Sequence, residues 1–192
     1  MIHPVPKPVK GEKKKKAKPK KSPERELIET IDDIDSIICL IVNDFKCILC
    51  GGTANQTHHY FHKASHGAVR FDPDNHCPMD FGCHNFIVHT KGDTEDLRDN
   101  LIKRISQPVF DNLKARSKQR ADRSISYLKE ELDTKLARLD IVVRRYPERL
   151  VMLSDAAKKR LDKYFDIKFK KCDPIDLAAQ CHGFNGWEEK SD

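Results

Sequence analysis

The sequence lacks any long apolar segment. No stretch of its 192 residues reaches the roughly 18 consecutive apolar residues of a membrane span. The N-terminal residues include lysines and prolines but not the apolar core of a signal peptide. These two absences argue against a membrane protein and a secreted protein, and we expect a soluble protein of the cytoplasm.

The cysteines are odd in number, which argues against a disulfide framework. Four of the seven share one window with most of the histidines: Cys47, Cys50, Cys77 and Cys83. Cytoplasmic thiols stay reduced, and cysteines grouped with histidines are typical of metal sites. Metal binding is therefore the better interpretation.

Positive charge is concentrated at the N-terminus. Residues 1–25 contain nine Lys and one Arg against two Glu, a net charge of +8; the whole chain has +6, so the remainder has about −2. Lysines and prolines cannot bury enough apolar surface to offset the entropy of ordering, so we expect a flexible arm. It is either a solubilising tail or a nonspecific contact for nucleic acid, which a polycation binds by releasing counterions.

Apolar periodicity predicts that much of the remaining chain is helical. Ser22-Pro23 is typical of a helix start, and apolar residues then recur every three or four positions, which predicts a helix from about Pro23 to Asn43. The β-branched run from Ile37 to Val42 leaves a strand as the alternative. Further helices are predicted to begin after Asp93, at Pro108, after Ser124, after Ser154 and at Pro174.

The predicted fold class is α+β, with a small metal-binding core in a mostly α-helical chain. Five parts follow: a basic arm over 1–22, an N-terminal helix within 23–46, the core over 47–92, a helical extension over 93–146 and a helical tail over 147–192. The apolar helix faces suit core packing, a homodimer or another docked partner.

One half of a zinc site is clear and the other is ambiguous. Cys47 and Cys50 form a C-x-x-C followed by two glycines, which let the backbone turn so that both thiolates face one ion. Cys83 supplies a third ligand, and the fourth is either Cys77 or Asp80. Thiolate is the softer and commoner ligand in closed zinc sites, so Cys77 is preferred.

Seven of the nine histidines lie in the 32 residues from 58 to 89, where an even spread would put 9 × 32/192, or 1.5. Imidazole both ligates metals and exchanges protons near neutral pH. Within this segment His59, Asn75 and His84 follow one another in the order H-N-H. Hydrolysis of a phosphodiester needs a base that deprotonates water, a divalent ion and a group that orients the base. Histidine can act as the base or as a ligand of the ion, and asparagine can orient the base.

The motifs resemble the bacteriophage NinG (Rap) family of recombination nucleases and related HNH proteins of the His-Me finger superfamily. The fold that this resemblance implies is a small zinc-containing ββα-metal (HNH) core. The resemblance covers roughly residues 24 to 140 and is carried by Cys47-x-x-Cys50-Gly51, His58-His59-Tyr60, Arg70-Phe71-Asp72-x-x-Asn75 and Cys83-His84. The family's second C-x-x-C is Asp80-x-x-Cys83 here, which leaves the fourth zinc ligand open.

The resemblance implies an endonuclease that cuts branched DNA, such as a Holliday junction, during phage recombination in the host cytoplasm, with recombination proteins as further candidate partners. His59 would be the general base, and Asn75 would orient its ring. His58 and His84 would bind the catalytic ion, Mg²⁺ or Mn²⁺ with Zn²⁺ as a third candidate. His89 would protonate the leaving group or contact phosphate; its position at i+5 from His84 is poorly suited to a ligand.

A rival hypothesis is a catalytically silent zinc module that binds DNA or a recombination partner. The presence of both His58 and His59 favours activity, because a purely structural module needs neither.

Overall fold

The computed structural model describes residues 21–91 and 94–171, without the side chains of 87, 89–91 and 166–171. The described chain is mostly helical with one two-stranded sheet, which fits the predicted α+β class. Its main elements are α1 (Pro23–Val42), β1 (Gln56–His59), β2 (His76–Met79), α2 (Cys83–Lys91, a wide π-type helix), α3 (Glu95–Ile105), α4 (Gln107–Arg116), α5 (Ile125–Arg145) and α6 (Asp155–Lys171).

Helix α1 forms for the reasons that its sequence suggests. The Ser22 side chain accepts a hydrogen bond from the Arg25 backbone N–H, 3.3 Å away, and Pro23 opens the first turn. The helix continues without a break to Val42, so the helix prediction is confirmed and the strand alternative for 37–42 is wrong. Apolar packing of the isoleucine face outweighs the β propensity of the run.

The core is built around the contact between α1 and α5. The isoleucine face of α1 and the leucine face of α5 belong to one buried apolar cluster. An ion pair lies inside this contact, with Lys135 Nζ 2.9 Å from Asp35 Oδ1 and both side chains 4% exposed. Lys135 also donates to the Phe71 carbonyl, which connects the segment between the strands to both helices.

The two strands and the helix that follows them form the unit that carries the histidines. β1 and β2 pair antiparallel, with His58 opposite Cys77 and His59 opposite His76. Three residues separate the end of β2 at Met79 from the start of α2 at Cys83. His58 and His59 thus lie on β1, and His84 lies on the helix that follows the partner strand.

The remaining helices cover this unit. α3 and α4 pack against each other, and α4 contacts the short 3₁₀ turns Gly67–Val69 and Pro73–Asn75. The hydroxyls of Ser124 and Ser154 cap α5 and α6, as predicted. Asp93 and the helix predicted from Pro174 lie outside the described residues. Within the described ranges, no helix is both long and apolar enough to cross a membrane.

Candidate metal centre and histidine cleft

A tight loop brings Cys47 and Cys50 to the same side. The Cys47 N–H donates to the Gly52 carbonyl at 2.7 Å, and the Gly51 N–H donates to the Cys47 carbonyl at 2.9 Å. Gly51 has a φ of 70°, a left-handed conformation that glycine adopts without the steric penalty of a side chain. The first half of the metal site is therefore formed by backbone turns, as the C-x-x-C-G-G sequence predicts.

Asp80 connects this loop to α2. It follows β2 directly, and its Oδ1 accepts hydrogen bonds from the Gly82 N–H at 2.7 Å and the Cys83 N–H at 3.0 Å. This is N-cap geometry, which satisfies donors of the first helical turn. Its Oδ2 lies 3.1 Å from Cys50 Sγ. One oxygen thus holds the helix and the other faces the cysteines.

Four side chains converge to a group that could bind a metal such as zinc: Cys47, Cys50, Asp80 and Cys83. Their ligand atoms all lie within 4.8 Å of one another. In a tetrahedral zinc site, Zn–S bonds of about 2.3 Å imply sulfur separations of about 3.8 Å, so the group fits such an ion. The Asp80 carboxylate raises the pKa of Cys50, and burial raises the pKa of Cys83. A divalent cation would offset both effects by favouring the thiolates.

The preference for Cys77 as fourth ligand is wrong, because Cys77 lies outside this group. It belongs to β2, opposite His58, and its side chain is fully buried in the apolar core. Burial raises the pKa of its thiol to about 12, as expected of an inert core cysteine. The alternative, Asp80, occupies the fourth position.

A cleft of about 350 Å³ lies beside the cysteine group, along β1. Its lining residues are Asp32, Asp33, Ser36, Thr57, His58, His59, His62, Lys63, His76 and His84. The His58 and His84 rings approach edge to face, with centroids 5.1 Å apart. Gln56 Oε1 contacts His84 Nδ1, so that this nitrogen carries the proton and donates. The predicted pair of histidine ligands is therefore brought together by a strand and a helix.

His59 contacts a histidine that the sequence did not single out. His59 Nε2 and His76 Nε2 are 3.2 Å apart, and His76 Nε2 lies 2.9 Å from the Arg70 carbonyl. Because a carbonyl only accepts, His76 carries its proton on Nε2, and the lone pair of His59 Nε2 accepts a share of that N–H. Burial lowers the pKa of His59 to about 4, so its imidazole is neutral at neutral pH.

An ionic cluster forms the cleft wall behind His59. Arg70 donates to both oxygens of Asp32, at 2.9 and 2.6 Å, and Lys63 Nζ lies 3.2 Å from Asp32 Oδ2. Burial alone would raise the pKa of Asp32, but the hydrogen bonds and charges of Arg70 and Lys63 outweigh it and lower the pKa. Asp32 is thus a carboxylate at neutral pH, and it fixes two cations beside the histidines.

The chain matches the model of a known protein family. The family model described as Bacteriophage Lambda NinG protein matches residues 7–144, which is well over half of the chain. The chain belongs to the NinG family. No curated protein and no solved structure matches it.

In this NinG family chain the Asn75 side chain does not make the predicted contact with His59. Its fully buried amide accepts from the Phe61 N–H at 2.7 Å and donates to the carbonyls of Phe61 and Val69, at 3.1 and 3.0 Å. Within the described part of the chain, the ring partner of His59 is His76 and not Asn75. Asn75 therefore holds the backbone that follows β1, and positions His59 indirectly.

Replacing Asn75 by alanine should lower the free energy of unfolding by about 2–5 kcal/mol. The change leaves the Val69 carbonyl without this partner in the interior, at about 1–3 kcal/mol, and the part-buried Phe61 N–H and carbonyl add a smaller cost each because they can reach water. Urea unfolding measures the loss. The matched control is Asn55→Ala, an exposed position just before β1, with an expected change within about 0.5 kcal/mol. Equal stability of the two variants would contradict this role for Asn75.

His76 is a site residue that sequence reasoning missed, although it follows Asn75 in the histidine-rich segment. It is 3% exposed and lies opposite His59 in the sheet, a position set by strand register. The prediction for His89 remains untested: its backbone lies in α2, and its side chain is outside the described residues.

Buried His76 should make the fold sensitive to acid. Burial, with the neighbouring His59 ring, lowers the pKa of His76 to about 3, below the unfolded value of about 6.5. A depressed histidine pKa stabilises the fold above pH 6.5, and this contribution is lost as the pH falls toward 3. Between pH 6 and 4 the wild type should lose stability more steeply than His76→Gln, by about 1.4 kcal/mol per pH unit. Parallel stability curves from urea unfolding would contradict the assignment.

Proposed function

We propose that this NinG family chain is a metal-dependent DNA endonuclease of the HNH type that acts on branched recombination intermediates. One observation carries the proposal: the order β1, β2, α2 places a histidine pair, His58 and His84, and the neutral His59 in a single cleft. The branched substrate comes from the family resemblance, and the residues themselves support hydrolysis of a phosphodiester.

The two paired imidazoles are suited to a divalent ion. His58 and His84 project from a strand and from a helix, which are held together by the sheet and by the cysteine group. In the proposal they bind Mg²⁺ or Mn²⁺. A bound divalent ion would supply Lewis-acid stabilisation of charge on the phosphate and the leaving oxygen.

His59 is the proposed general base. At neutral pH its ring is unprotonated, and its Nε2 lone pair accepts only a long, shared hydrogen bond from His76. Release from this bond, by rotation of the ring toward the cleft, frees the lone pair to take a proton from water. Asn75 and His76 hold the backbone and ring of His59 before the reaction.

The cysteine group is proposed as a structural zinc site. Cys83 directly precedes His84, and Asp80 caps the helix that carries both. An ion bound to Cys47, Cys50, Asp80 and Cys83 would therefore fix the first turn of α2 against the loop before β1. The position of His84 in the cleft depends on that turn.

Cleavage assays test the function. Purified zinc-loaded protein is incubated with linear duplex and with a four-way junction of the same sequence, with Mg²⁺, with Mn²⁺ and without added divalent ion. Omission of the ion is preferable to chelation, since a chelator would also remove structural zinc. We expect cleavage only with added ion and faster cleavage of the junction. Binding of DNA without cleavage in every condition would favour the silent zinc module and contradict the proposal.

A further inference from the structure

Two further hollows continue the histidine cleft across the surface. The first is lined by residues at the start of α1 together with Asp32, Lys63, Arg70 and Arg123. The second is lined by residues 64, 65 and 67 and by residues 119–124. Lys63 and Asp32 line both the cleft and the first hollow, and Arg123 lines both hollows. The three therefore adjoin one another, and we call the two hollows beyond the cleft the basic groove.

The outer wall of the basic groove is held in place by close packing. His66 Nδ1 donates to the carbonyl of the buried Ser117, 3.2 Å away. At Gly67, a β-carbon would lie 3.0 Å from the Ala121 side chain and 3.3 Å from the Arg123 guanidinium. A side chain at this position would force the loop to shift by a few tenths of an ångström. The loop that carries Arg120 and Arg123 is therefore fixed against the segment that follows β1.

The charges of the groove leave two arginines available to an anion. Glu29 pairs with Lys21 and Arg25, and Asp32 pairs with Lys63 and Arg70. Asp122 accepts from the Ser124 N–H at 2.8 Å, and Glu24 is the remaining carboxylate, so five cations and four anions leave the groove lining a net charge of +1. Neither Arg120 nor Arg123 belongs to an ion pair of the described residues, and both are exposed. Their guanidinium groups offer planar donors that match phosphate oxygens.

The lysine-rich arm joins the fold at this same groove. Residues 1–20 contain eight lysines and one glutamate. The chain then reaches Ser22, which lines the first hollow beside Arg25, Lys63 and Arg123. The most positively charged segment of the sequence is thus attached at the hollow that Arg123 lines.

We propose that the basic groove binds the DNA backbone that flanks the cut site, with Arg120 and Arg123 on its phosphates. This proposal rests on DNA as the substrate of the histidine cleft. Contacts of this kind set affinity and register without reading sequence, which suits an enzyme that recognises the shape of DNA. The groove would lead one flank into the cleft past Lys63.

Salt-dependent binding tests the groove separately from catalysis. The full chain with His59→Ala binds a fluorescent four-way junction without added divalent ion, so that cleavage does not enter. Arg120→Gln with Arg123→Gln removes two cations from the groove. The matched control is Lys103→Gln with Lys129→Gln, two exposed lysines that do not line the hollows described here. Circular dichroism should show the same fold for all the proteins.

We expect the groove pair to reduce the slope of log K against log salt by about 1.8, which is about 0.9 for each lost phosphate contact, and the control pair by much less. At 0.1 M salt the affinity should fall on the order of ten- to a hundredfold. Equal losses from the two pairs, an unchanged slope or no DNA binding would each overturn the groove. Groove-dependent binding by a wild type that never cuts DNA would support the groove and contradict the endonuclease.

Discussion

Replacing His59 by alanine should lower the rate of the proposed DNA cleavage by about 10²–10⁴-fold at saturating DNA and metal, which is the range for loss of a general base. The lone pair of His59 Nε2 accepts only the hydrogen bond that His76 shares with the Arg70 carbonyl. The pKa of the His59 imidazole, at about 4, leaves it unprotonated at neutral pH. Single-turnover cleavage of a four-way junction with Mn²⁺ measures the chemical step. DNA binding should be unchanged, because the loss concerns proton transfer.

The control for this experiment is Asn55→Ala, an exposed position just before β1 that does not line the cleft. It should cleave at the wild-type rate within about twofold, since such surface changes rarely disturb a fold. Full cleavage by His59→Ala would assign the base to another residue. A loss that accompanies weaker DNA binding would show that His59 acts in affinity and would equally contradict its role as a base.

Removing Cys50 or Asp80 as a ligand should abolish stoichiometric zinc and destabilise the core. Structural zinc contributes roughly 10–16 kcal/mol of apparent binding free energy in zinc-finger peptides at neutral pH, and that energy is coupled to folding. Regular structure between Cys47 and Cys83 is limited to two four-residue strands and two short 3₁₀ turns, so few other contacts would replace the zinc. We expect one zinc per wild-type chain, and less than a tenth of that in Cys50→Ser and Asp80→Ala after dialysis.

Three variants separate the roles of Asp80 and Cys77. Asp80→Ser keeps a helix cap but no anionic ligand and should lose zinc, whereas Asp80→Cys should retain it. In the cobalt-loaded protein, Asp80→Cys should also show stronger thiolate charge-transfer absorption, because it adds a fourth sulfur. Cys77→Ser should keep full zinc, although a buried hydroxyl costs about 1–3 kcal/mol of stability. Zinc loss in Cys77→Ser with retention in Asp80→Ala would show that Cys77, and not Asp80, is the fourth ligand.

The helices could be predicted from sequence because their signals are local. Ser22, Ser124 and Ser154 cap the predicted helices, and the apolar spacing between them marks the buried faces. The order of the strands and α2 came from the H-N-H motif and the family resemblance, since four-residue strands leave no usable periodicity. His58 and His84 were paired on the same basis, and the structure brings their rings together.

The errors of sequence reasoning concern contacts that depend on register. Ligand softness favoured Cys77, but the pleat of β2 directs that side chain into the core, and the helix cap places Asp80 on the cysteines. The matching three-residue spacing of Cys47 to Cys50 and of Asp80 to Cys83 was the better signal. His76 became a partner of His59 only through pairing of β1 with β2.

The basic groove shows why charge along the sequence was an incomplete guide. The arm accounts for the positive charge of the chain, and the remainder has a small negative total. Within that remainder, Arg123 lines one hollow with Arg120 and another with Lys63, because its loop packs on Gly67. Their separation from Lys63 in sequence, by more than fifty residues, hides this proximity until the chain is folded.

The most direct test of the proposed active site is the position of its ion. Crystals of the zinc-loaded protein are soaked in MnCl₂, and anomalous difference maps are recorded above and below the zinc absorption edge. We expect manganese within bonding distance of the His58 and His84 imidazoles, and zinc among Cys47, Cys50, Asp80 and Cys83. Manganese found only at the cysteine group, or nowhere near the two histidines, would contradict it.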